Sequence, residues 1–137
     1  MTRLFLDANV LFTAAHNPEG KTALVIELAA SGRREGVTSA YCVAEARLNL
    51  ERKYPDFLGR LEKILDTVRL VPDVRAELCP IRLPEVDRPV FASAIRCGAT
   101  RFLTGDRRHF GRVMNKPMKT AGVVVQTVGG FLSDIAK

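Results

Sequence analysis

Apolar and polar positions along the chain switch between two periods, and the switching predicts strands and helices in turn. Arg3-Leu4-Phe5-Leu6 is a short apolar run that stops at Asp7, the pattern of a buried strand with an acid at its carboxyl end. Ala23, Leu24, Ile26, Leu28 and Ala30 recur at helical spacing, and Ser31-Gly32 supplies a stop. Gly36-Val37-Thr38-Ser39 predicts a second short strand, and residues 42–53 a helix broken at Tyr54-Pro55. A further helix over 56–67 leads into the apolar run Val68 to Val71, which Pro72 closes. Pro80, Pro84 and Pro89 make 79–89 a loop that stiffly introduces a helix over 90–97. Arg101-Phe102-Leu103-Thr104 reads as another strand. Residues 122–126 are the most β-branched stretch, and 131–136 predict a short closing helix.

Strands that alternate with helices favour a parallel sheet covered on both faces, because parallel strands need long crossovers and helices supply them. The expectation is one doubly wound α/β domain over residues 1–137, without internal repeat, low-complexity tract or linker. The composition agrees: 137 residues with 47% hydrophobic and 26% charged positions can bury a core without disulfides. Cys42, Cys79 and Cys97 are an odd, widely spaced set with no C-x-x-C pair, so they read as buried reduced thiols. No apolar run approaches the roughly 18–20 residues of a membrane span, and Asp7 interrupts any signal-peptide core. A cytoplasmic protein is expected.

Charge changes the picture. The chain carries 21 Lys and Arg against 15 Asp and Glu, a net +6, which makes a polyanion such as nucleic acid the first partner to consider. Arg101, Arg107, Arg108, Arg112, Lys116 and Lys119 cluster in one window against a single acid, Asp106. A solvated surface would look the same, so this window weighs equally for solubility and for phosphate contact. Arg107, Arg108, Arg112 and Lys116 are its candidate phosphate contacts, with Arg52 on the helix over 42–53.

Four acids stand where a doubly wound sheet gathers ligands, beyond the carboxyl ends of its strands. Asp7 follows the first strand, and Asp106 follows the strand at 101–104 after Gly105. Either could simply cap a helix, and so could Asp87 ahead of Pro89. Asp87, however, lines up with Phe91, Ala94 and Ile95 on the apolar side of its helix, which aims it toward the edge of the core. Glu45 could be one charge on a solvated helix face. It shares a polar stripe with Asn49 and Arg52, bordered by apolar residues, which makes it a candidate for a cleft wall.

Convergence would change the chemistry of these acids. Like charges about 4 Å apart repel by roughly 4 kcal/mol at an effective dielectric of about 20, so four ionised carboxylates need a cation among them. Carboxylate oxygens are hard ligands suited to Mg²⁺ or Mn²⁺, whereas His16 and His109 lie too far from the cysteines to suggest zinc. Such an ion can activate a water and neutralise charge on a phosphoryl oxygen.

Carried by Leu6-Asp7-Ala8-Asn9, by Val43-Ala44-Glu45-Ala46, by Asp87 leading into Ala92-Ser93-Ala94-Ile95, and by Leu103-Thr104-Gly105-Asp106 with Phe110, the sequence resembles the PIN domain ribonucleases. Among these it is most similar to the VapC-like toxins of toxin–antitoxin pairs, over nearly the whole chain. The resemblance implies a three-layer α/β/α sandwich with a mostly parallel central sheet. It also implies an endoribonuclease site in which Asp7, Glu45, Asp87 and Asp106 hold Mg²⁺ or Mn²⁺ and orient the attacking water. Asn9 and Thr104 match positions that support those carboxylates from behind, and Ser39 looks like a similar support. An antitoxin protein and a twofold dimer are the partners it implies besides RNA.

The sequence departs from the pattern in two places. Arg107, Arg108 and His109 occupy the stretch where some members carry a further acid, which leaves the choice between one and two ions open. Pro89 close after Asp87 is unusual and keeps Glu85 as an alternative in that role. His109 reads as a surface or packing histidine, since a metal-activated water needs no base. Gly20-Lys21-Thr22 imitates the end of a phosphate-binding loop, but Ala15 stands where its first glycine belongs, so Lys21 reads as a cation at a helix start. No G-x-G-x-x-G follows the first strand, which argues against a dinucleotide fold. A haloacid dehalogenase type of phosphatase would need a second Asp where Asn9 stands. A non-catalytic RNA-binding or scaffolding module, with its acids acting as caps, is the remaining alternative.

Overall fold

Leu4, Phe5 and Leu6 are fully buried because the strand they form lies at the centre of a sheet covered on both faces. In the computed structural model, which describes residues 2–137, the strands are β1 (Thr2–Leu6), β2 (Arg34–Ser39), β3 (Arg69–Val71), β4 (Arg101–Leu103) and β5 (Val124–Gln126). All neighbours are parallel, in the order β3-β2-β1-β4-β5. The helices are α1 (Ala8–His16), α2 (Lys21–Leu28), α3 (Ala40–Lys53), α4 (Leu58–Leu65), α5 (Arg88–Arg96), α6 (Arg107–Phe110) and α7 (Val128–Ile135). α1 packs on α2, α3 and α4, and α7 packs on α2. Over the opposite face, α5 and α6 meet through an aromatic stack. Phe5 and Phe102 are register partners with parallel rings 5.5 Å apart, and Phe91 of α5 and Phe110 of α6 lie 5.3 and 4.9 Å from Phe102. The result is the expected α/β/α arrangement.

Strand order fixes where a site can form. The chain runs outward from β1 through β2 to β3, then returns to the other side of β1 for β4 and β5. The order therefore reverses between β1 and β4, and the carboxyl ends of these two strands open a crevice there. Asp7 and Thr104 are the first residues beyond those ends.

Element boundaries shift where local physics overrides periodicity. The helix α1, absent from the periodic pattern, begins directly after Asp7, whose carboxylate caps it by accepting from Ala8 N–H at 2.8 Å. None of its residues is exposed, so it lacks the solvated stripe from which a helix is read. β5 starts at Val124 and not at Gly122, because Gly122 sits at φ +86° in a turn. α7 starts at Val128: Gly129 and Gly130 hide it, but the Thr127 hydroxyl accepts from Gly130 N–H at 3.0 Å and caps it. The stop at Ser31-Gly32 falls where expected, in a π-helical turn after α2 with Gly32 at φ +101°. The three cysteines are free, and among the described residues no helix is long and apolar enough to cross a membrane.

Candidate functional site

The ends of β1 and β4 are held side by side by the pairing of Leu6 with Leu103 and by Asp7 N–H donating to Leu103 C=O at 3.1 Å. Beyond these ends, Thr104 joins the two loops. Its hydroxyl donates to Asp7 Oδ2 at 2.8 Å and accepts from Asp106 N–H and from Asn9 Nδ2, each at 3.1 Å. Asn9 Nδ2 also reaches Asp7 Oδ2 at 3.1 Å, while Asn9 Oδ1 accepts from Gly105 N–H at 2.7 Å. Thr104 and Asn9 thus hold the Asp7 carboxylate and tie it to the backbone at Gly105 and Asp106 through one buried hydroxyl and one amide. Ser39 takes a different place. Its hydroxyl caps α3 by accepting from Cys42 N–H at 3.4 Å and makes no hydrogen bond to an acid.

Asp87 ends a 3-10 turn ahead of α5, and Asp106 precedes α6; the stack of Phe91 on Phe102 and Phe110 brings the two helices together. Asp106 Oδ1 accepts from His109 N–H at 3.0 Å, so its other oxygen is free to face Asp87. Between them stands His109, with Nδ1 2.7 Å from Asp87 Oδ2 and 2.9 Å from Asp106 Oδ2. These are ion-pair distances, yet Nδ1 and Asp87 Oδ2 are enclosed without a directed hydrogen bond. Reading His109 as a surface or packing residue is therefore corrected: its ring joins the acids. The signal was its i+3 spacing from Asp106, with Phe110 buried next to it. Asp87, Asp106 and His109 offer ligand atoms that all lie within 4.8 Å of one another. Glu85 is exposed and lies outside this group, whereas Asp87 belongs to it.

The electrostatics tie all four acids together. Asp7 is buried, and its carboxyl is pushed up to about 6; desolvation does most of this, the bonds from Thr104 and Ala8 oppose it, and Asp87 and Glu45 add to it. Asp87 is raised by burial and by Asp106, against the pull of His109. Glu45 stands exposed at the rim on α3, yet its surroundings and the charge of Asp87 push it up too. Burial raises Tyr41, one turn earlier on α3, and Glu45 raises it further; sequence reading passed over this exposed phenol at the rim. Cys42, buried behind Asp7, is pushed up to about 12 and is no nucleophile.

Two of these acids do cap helices, as the plain reading of each had it, but Asp87 makes no side-chain cap bond. A crowd of desolvated carboxylates with an enclosed, unbonded oxygen fits a divalent cation, and the oxygen donors suit Mg²⁺ or Mn²⁺. Arg107, Arg108, Arg112, Lys116 and Arg52 are exposed. Arg101 is not free: its guanidinium donates to Gln126 at 2.6 Å and pairs with Asp134 at 3.4 Å. Lys21 opens α2, as expected, and with Thr22, Asn9, Gly105, Arg107 and Thr127 it lines a cavity of about 380 Å³ beside the acids.

No family model matches the sequence, and no curated protein does either. Solved structures do share its fold. VapBC2 from Rickettsia felis, bound to a DNA fragment from its promoter, is 15% identical with a TM-score of 0.67, over 92% of this chain and 98% of that one. FitAcB from Neisseria gonorrhoeae is 21% identical with a TM-score of 0.61, over 92% and 98%. VapC20 from Mycobacterium tuberculosis, a toxin that cleaves the sarcin-ricin loop, is 16% identical with a TM-score of 0.54, over 77% and 91%. The fold is the one shared by these VapBC, FitAcB and VapC20 structures.

Proposed function

We propose that the protein is a Mg²⁺- or Mn²⁺-dependent endoribonuclease, the toxin of a toxin–antitoxin pair. One observation carries this reading: Asp87 Oδ2 and Asp106 Oδ2 converge at the switch point of the sheet, coupled to buried Asp7 and rim-standing Glu45. Asp87 and Asp106 would hold the ion together with Asp7, whose Oδ1 accepts from Ala8 N–H at 2.8 Å and from the Cys42 thiol at 3.9 Å. Glu45 would complete the set from α3. A bound divalent ion supplies a water of lowered pKa and positive charge against a phosphoryl oxygen.

The remaining work falls to the chain itself. Thr104 and Asn9 hold the Asp7 carboxylate in one orientation, so no reorganisation is needed when substrate arrives. Glu45, raised by burial and by Asp87, would help orient the attacking water from the rim. Arg107 and Arg108, exposed on α6 next to Asp106, meet the flanking phosphates, and Arg112, Lys116 and Arg52 extend the strip. The same reading expects a cytoplasmic homodimer whose cognate antitoxin covers this cleft.

A non-catalytic RNA-binding module would need the acids only as caps. Asp87, desolvated but bonded to no helix end, speaks against that. The test is incubation of purified protein with total RNA in Mg²⁺, in Mn²⁺ and in EDTA. Cleavage should require the ion and leave no 2′,3′-cyclic phosphate ends, because water and not the 2′-hydroxyl attacks. Asp106→Asn should abolish it while RNA binding stays nearly intact; equal cleavage by the variant would overturn the assignment.

A further inference from the structure

We propose that His109 Nδ1 is itself a ligand of the cation, and that this nitrogen makes the site prefer Mn²⁺ to Mg²⁺. The inference rests on the metal-dependent reading above and adds a residue to it. Cis ligands of an ion bound at about 2.1 Å lie about 3 Å apart. Nδ1 stands 2.7 and 2.9 Å from the two carboxylate oxygens, close to that spacing. Neither oxygen is a directed hydrogen-bond partner for it, so the three atoms are gathered without the alignment that a hydrogen-bonded histidine would show.

The histidine is also held in place. Its own N–H donates to Asp106 Oδ1, which commits that oxygen to α6 and leaves Oδ2 on the side of the ring. Phe110, fully buried against Phe102, pins the next residue. His16, the other histidine in the chain, is packed 4.7 Å from the ring of Phe12 and 4.5 Å from that of Tyr54. Only His109 is therefore presented to the acids. An imidazole nitrogen binds transition ions better than Mg²⁺, which favours all-oxygen ligands and keeps its waters. A site of carboxylates alone would discriminate less between the two.

The experiment is pulsed EPR on the purified full-length chain loaded with Mn²⁺, together with competition between Mn²⁺ and Mg²⁺ followed by the EPR signal of free Mn²⁺. The wild type should show imidazole-nitrogen coupling to bound Mn²⁺. His109→Ala and His109→Asp should both lose it, and His109→Asp should still bind Mg²⁺. The preference for Mn²⁺ should fall about tenfold or more in both variants, within the range seen when even an outer partner of a metal is removed. Bound Mn²⁺ without nitrogen coupling, or coupling that survives His109→Ala, would overturn this proposal and leave the metal-dependent reading standing. A folded wild type that binds no Mn²⁺ would overturn both.

Discussion

Asp7 holds a strained charge, and neutralising it should make the metal-free protein more stable. Burial raises its carboxyl from 3.8 to about 6, worth about 3 kcal/mol against the ionised folded state. A raised acid contributes no penalty below about pH 4, where both folded and unfolded chains are protonated. The penalty grows as pH rises toward 6 and is complete above it. Asp7→Asn removes this penalty but loses part of the bonding, because its amide must face either Ala8 N–H or the donors Asn9 and Thr104, at a cost of about 1 kcal/mol. The variant should thus be about 1–2 kcal/mol more stable than wild type at pH 7.5 in EDTA, and no more stable near pH 4. Urea unfolding at both pH values measures the difference. A variant less stable than wild type at pH 7.5, or a difference independent of pH, would refute the reasoning.

Thr104→Val keeps the shape but removes the donor to Asp7 and the acceptor for Asp106 and Asn9. It should cost about 1–3 kcal/mol in urea unfolding and, by raising Asp7 further, move the acid limb of the cleavage profile to higher pH. Arg107→Ala combined with Arg108→Ala should weaken RNA binding and lower the slope of log affinity against log salt by about 1.4, read by fluorescence anisotropy; an unchanged slope would remove both residues from the phosphate contacts. Phe102→Ala, at the centre of the stack joining β4 to α5 and α6, should cost about 3–5 kcal/mol in chemical denaturation, and a loss under about 1 kcal/mol would contradict the packing described.

How much of this was legible in the sequence depended on whether a signal was local. Asp7 and Asp106 were readable because each closes an apolar run, and a parallel sheet puts run ends on one edge. Thr104 and Asn9 were reachable through motif resemblance. Ser39 was placed correctly at the end of β2, but its hydroxyl serves α3 and touches no carboxylate. α1 left no periodic trace because no side of it meets open solvent. His109 was hidden for a different reason: its two partners lie on separate elements, and only the packing of Phe91 against Phe110 sets α5 beside α6. The pairing of Arg101 with Asp134 also depends on tertiary structure, and it withdraws one cation from a window that sequence counts as uniformly free.

A crystal of the protein grown with Mn²⁺ and measured for anomalous scattering tests the central claim most directly. The account predicts a strong peak between the carboxylates of Asp87 and Asp106, on the side facing Asp7. A fully ordered site with no peak there, or a peak bound only elsewhere on the molecule, would contradict it.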